Sequence, residues 1–169
     1  MTRLETDRLV LTELTLADAP FMLHLLNTPA WLQYIGDRGV RTVDQAETYL
    51  LKGALRSYET SGFGFYRTAL KTDDTPIGIC GLVKRDFLDD VDIGFAFLPA
   101  YVGQGYGFEA AQATLTYATQ TLGFRRLVGI VSEQNQPSVR LLQKLGFRYE
   151  RHMRVPGEDK EVLLLGQTW

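Results

Sequence analysis

One cysteine, Cys80, stands in a chain of 169 residues. That excludes an internal disulfide and any metal site built on a cysteine cluster. The histidines are two, His24 and His152. Far apart in sequence and without cysteine partners, they form no zinc motif, and no metal is expected. No apolar run approaches the length of a membrane span. The N-terminus, MTRLETDRLVLTEL, is charged and alternating, unlike a signal peptide. Neither sign of charge is in large excess. The formal net charge is −2 and the pI about 5.7, with no basic stripe of the kind a nucleic-acid binder carries. Linkers, repeats and low-complexity segments are missing too. These absences leave one cytoplasmic domain, residues 1–169, with no nucleic-acid or membrane partner. It is long enough to bury a core.

What is present reads as alternating elements. Residues 8–14 (RLVLTEL) have the period of a strand. Thr15 with Asp18 forms a capping box before a short helix, ADAPFMLHLLN. Residues 27–39 are irregular and aromatic. Thr42 with Gln45 is a second capping box and opens an amphipathic helix to about Glu59. GFYRTAL, IGICGLVKR and VDIGFAFL follow as a three-strand meander, broken by KTDDTP and DFLDD. Pro99 stops the third strand. A helix covers about 106–122, and RLVGIV is a strand buried on both faces. Residues 135–145 form a helix stopped by Gly146. FRYERHMRV and EVLLLGQTW close the chain as strands. The order β-α-α-β-β-β-α-β-α-β-β predicts an α+β fold, one mixed and mostly antiparallel sheet with helices on its faces.

Between Pro99 and the 106–122 helix lies YVGQGYGFEA, with glycine at 103, 105 and 107. Bare backbone ahead of a helix suits an anion: free N–H groups converge there and the helix adds partial positive charge. A glycine-rich turn with no ligand fits as well, and the stretch alone leaves both open. The P-loop signature fails for want of its Lys and Ser/Thr. The dinucleotide fingerprint fails on glycine spacing, although Glu133 ends the next strand where an acidic residue would stand.

Taken together, LETDRLVLTELTLADA, VDIGFAFLPAY, VGQGYG, RLVGIV and N-x-x-S-x-x-L-x-x-x-L-G-F (Asn135 to Phe147) resemble the GCN5-related N-acetyltransferases. The similarity is greatest to the branch that acetylates ribosomal-protein N-terminal alanine or serine, and it runs over nearly the whole chain. It implies an acetyl-CoA-dependent transfer of an acetyl group to a primary amine, either a protein N-terminal α-amine or a small molecule. Dimers are common in that branch, which leaves a homodimer open.

The resemblance also implies roles. Gly105 and Gly107 fall on the two small positions of the family loop, and residues 103–107, Gln104 and Tyr106 included, would hold the CoA pyrophosphate by backbone N–H groups. The loop departs from the family at Val102, where Arg or Gln is usual. Gln104 replaces a frequent Lys or Arg, so the loop brings no cation. Arg140 or Lys144 would reach a CoA phosphate. Strands 93–98 and 127–131 would splay, with backbone near Phe97 and Leu98 pairing with pantetheine. Ser138, on one helix face with Asn135, would protonate or hydrogen-bond the CoA sulfur; Asn135 would also cap its helix. Asp92 would orient or deprotonate the amine, unless it is a solvated strand-end carboxylate beside Asp89 and Asp90. Trp31, Tyr34, Phe63 and Phe65 would line the acceptor side. A non-catalytic acyl-CoA-binding module of the same fold is the alternative.

Overall fold

A computed structural model describes all 169 residues. Eight strands form one sheet, in the spatial order 3–5, 9–13, 65–70, 76–83, 92–97, 126–131, 161–168 and 148–154. The N-terminal hairpin joins β1 (Arg3–Glu5) to β2 (Leu9–Glu13). Strand β1 was not expected. Its three residues bury only Leu4 in part, so the apolar signal is weak. Pairing with β2 and the turn in which Thr6 N donates to Leu9 O (2.9 Å) hold it in place.

The predicted meander is present as β3 (Phe65–Leu70), β4 (Pro76–Val83) and β5 (Asp92–Phe97), antiparallel throughout. Helix α4 (Tyr106–Thr116) then crosses over to β6 (Arg126–Val131). Strands β7 (Arg148–Arg154) and β8 (Glu161–Thr168) complete the sheet. Strand β6 is antiparallel to β8 along its full length, from Arg126↔Thr168 to Val131↔Leu163. It is parallel to β5 at a single rung, Asp92↔Val128. The sheet is therefore two well-paired halves that share one rung and part beyond it.

Alternation puts successive side chains on opposite faces. Ile93, Phe95 and Phe97 join a core with Ala110, Ala111 and Leu115 of α4 and with Val139 and Leu142 of α5 (Gln136–Lys144). Ala96 joins a second core with Met22 and Leu25 of α1 (Ala19–Leu26) and Ala46 and Leu50 of α2 (Val43–Leu50). Both capping boxes mark real helix starts. Thr15 N donates to Asp18 Oδ2 (2.8 Å), and Gln45 N to Thr42 Oγ1 (3.1 Å). Helix α2 continues through a wider turn at Leu51–Leu55 into α3 (Arg56–Ser61), ending at Gly62 with φ +80°. The segment expected to be irregular contains one helical turn, Trp31–Ile35. No helix is long and apolar enough to cross a membrane.

Candidate active site

The three glycines of the 103–107 stretch have two different reasons. Gly103 and Gly105 adopt φ +79° and +85°, a region that L side chains avoid. Gly107 has ordinary backbone, but a Cβ there would lie 2.9 Å from Leu141 Cδ1. Its bareness lets the start of α4 pack on α5. None of the backbone N–H groups of residues 103–108 finds an acceptor in the protein; the first α4 bond runs from Glu109 N to Gly105 O (3.1 Å). That leaves a row of free donors at a helix N-terminus, the geometry that holds phosphate.

The loop is not without a cation. Arg8, 96 residues from Gln104 in sequence, donates from Nη1 to Gln104 O (3.1 Å) and from Nε to Glu109 Oε1 (2.8 Å). Its guanidinium lies 4.2 Å from the centre of the Tyr106 ring. Arg8 N also donates to Glu109 Oε2 (3.0 Å), as does Thr6 Oγ1. The start of β2 is thus clamped to the loop. A Cβ on Gly105 would sit 3.2 Å from Arg8 Nη2.

Where β5 and β6 part, β5 presents a free edge. Leu98 N donates to Ile77 O (2.8 Å) on the β4 side. Antiparallel alternation then turns the backbone groups of Phe95 and Phe97 toward β6, which is no longer in reach. Leu98 itself is spent: its carbonyl accepts from Tyr101 N (3.0 Å). The edge belongs to Phe95 and Phe97, which corrects the expectation for Leu98.

The parting opens into a cleft of about 1110 Å³. Asp92, Ser138 and Asn135 all line it, as do Trp31, Tyr34 and Phe65. Phe63 does not; it packs edge-on against Phe124 in the core, ring centres 5.6 Å apart. Arg140 is exposed and outside the cleft wall. Lys144 lies over the Phe108 ring, 4.3 Å from its centre.

Asp92 is no solvated strand-end carboxylate. It is 1% exposed, because it sits on the one rung between β5 and β6. Arg85 Nε donates to its Oδ2 (2.8 Å), while Oδ1 has no partner. Burial pushes its carboxyl up to about 6, and Arg85 only partly counters this. The result is a buried carboxyl that exchanges its proton near neutrality, with one oxygen lacking a hydrogen-bond partner. Asn135 takes the N-cap position of α5, yet its side chain makes no capping bond. Its amide is left free beside the cleft, one turn from the half-buried Ser138.

Residues 8–148 match the acetyltransferase (GNAT) domain family. The chain belongs to the GNAT acetyltransferases. It is similar to the uncharacterized N-acetyltransferase YoaA of Bacillus subtilis, 28% identical over 153 residues, covering 89% of this chain and 85% of that one. Among solved structures it resembles a GNAT-family acetyltransferase of Bordetella pertussis, with a TM-score of 0.84 at 27% identity, covering 99% and 100% of the two chains. It also shares its fold with RimL, a ribosomal L7/L12 acetyltransferase in complex with coenzyme A: TM-score 0.83, 18% identity, 99% and 98% covered.

This GNAT acetyltransferase is therefore an acyltransferase. A covalent acetyl-cysteine has no support in it. Burial pushes the Cys80 thiol up to about 12, and its Sγ lies 3.4 Å from Thr114 Oγ1. His24 is exposed, and His152 lies against Tyr149 (Nδ1 to hydroxyl, 2.7 Å) on the edge strand β7. Two residues beyond the expected set shape the candidate site. Arg85 holds Asp92, and Arg8 holds the glycine loop. A cation seven residues before an acid on the next strand was a signal for the first; only the fold reveals the second.

Proposed function

We propose that residues 1–169 form a single N-acetyltransferase domain that moves an acetyl group from acetyl-CoA directly to a primary amine. One observation carries the proposal: β5 and β6 share a single rung and then part into the cleft that Asp92 and Ser138 line. A thioester arm laid along the free edge of β5 would pair with the backbone of Phe95 and Phe97. The free N–H groups of residues 103–108 and the Arg8 clamp suit a pyrophosphate. Acetyl-CoA supplies the activated acyl group.

Each residue then has one task. Asp92 Oδ1 takes the proton lost by the amine nitrogen, directly or through a water, as the N–C bond forms. Arg85 holds Oδ2 and keeps the carboxylate oriented. Ser138 gives a hydrogen bond to the sulfur as the C–S bond breaks. An α-amine has an ordinary pKa of about 8, so part of it is neutral near pH 7 and a base near 6 suffices. Thiol release from acetyl-CoA in the presence of primary amines tests the reading. Acceptor-dependent release is expected; none with any amine refutes it.

A further inference from the structure

Resting on the acyl-transfer reading, we propose that the cleft selects a primary amine that also bears a carboxylate, and disfavours polycationic amines such as polyamines. The chain as a whole carries a net charge of −2. Its cleft is the opposite. Six lining residues are Lys or Arg and three are Asp or Glu. A concave site lined by one sign of charge concentrates ligands of the other.

Pairing decides which of these charges are free. Arg85 holds Asp92. Arg38 Nη1 meets Glu158 Oε1 at 3.0 Å. Lys160 Nζ donates to the carbonyls of Tyr34 and Ile35. Lys52, Arg56 and Lys84 have no acidic partner, and the exposed Asp86 is the one acid of the lining with no basic partner. Lys52 and Arg56 stand four residues apart on the α2–α3 helix, so they share one face, and both are exposed at the cleft rim. Trp31, also in the lining, has its indole N–H buried with no acceptor. A cationic rim and an orphan donor suit carboxylate oxygens, while Asp92 Oδ1, buried without a hydrogen-bond partner, suits one amine. A polyamine brings several cations and meets two available carboxylates, Asp86 and Asp92, against three unpaired cations.

These cations are separate from the phosphate seat. Neither Arg8 nor residues 103–108 line the cleft wall.

The test is thiol release from acetyl-CoA with peptides of equal length that differ only in Glu, Gln or Lys after the first residue, with spermidine alongside. The expected order of kcat/KM is Glu, then Gln, then Lys, with roughly tenfold between the ends of the series, shrinking as salt rises. Charge reversal at Lys52→Glu with Arg56→Glu inverts the order and leaves the Kd of acetyl-CoA unchanged. Preference for Lys peptides or spermidine, indifference to charge, or weakened acetyl-CoA binding in the reversed variant overturns the proposal. Release that ignores charge overturns it alone. Absence of release with every amine removes the acyl-transfer reading as well.

Discussion

Replacing Asp92 by Asn should change how stability depends on pH, by an amount the structure sets. The Asp92 carboxyl has an ordinary value of 3.8 and is pushed up to about 6 by burial. Between those values the folded chain keeps a proton that the unfolded chain has lost. Linkage then makes stability fall as pH rises through this window. At about 1.4 kcal/mol per pH unit the total is about 3 kcal/mol. The contribution is fully present below 3.8 and gone above 6. Asn resembles the protonated acid and cannot ionise. Denaturant unfolding of both proteins from about pH 4 to pH 7 should therefore show the variant gaining about 3 kcal/mol on the wild type. The same substitution should remove the acid limb of turnover near pH 6. A stability difference that is flat with pH, or that moves the other way, would refute the burial argument. It would also remove the reason to treat Asp92 as the base.

Three further substitutions probe the remaining parts. Gly105→Val forces a β-branched residue into φ +85° with its Cβ near Arg8 Nη2. It should cost about 1–2 kcal/mol of stability and weaken acetyl-CoA binding on the order of tenfold or more, read by calorimetric titration. Ser138→Ala should lower kcat more than it changes acetyl-CoA affinity; equal losses would indicate a ground-state contact. Arg8→Ala removes the clamp on Gln104, Glu109 and Tyr106, and should weaken acetyl-CoA binding and reduce its salt dependence. Arg8→Lys should restore only part, since an ammonium lacks the guanidinium fork.

Much of the fold was legible because its signals are local. Pro99, the hairpin-length turns and the two capping boxes punctuate the chain where elements begin and end. The glycine loop and the Asn135/Ser138 helix were placed for the same reason. The rest depended on contacts distant in sequence. RLVGIV reads as a buried strand, but nothing in it says that it pairs fully with β8 and at one rung with β5. That choice opens the cleft. Asp92 sits beside Asp89 and Asp90 and resembles a surface acid; the rung with Val128 buries it. Arg8 looked like one charge in an alternating strand, and folding carries it to the loop that lacks a cation. Asn135 shows the reverse case. Its sequence position suggested a cap, and the position is occupied without the bond.

Thiol release across acidic, neutral and basic acceptors tests acetyl transfer from acetyl-CoA to an amine most directly. Release that depends on the acceptor, accompanied by the matching acetylated amine, is the predicted result. Tight acetyl-CoA binding with no release for any acceptor would contradict it, and would leave a domain that binds acyl-CoA without using it.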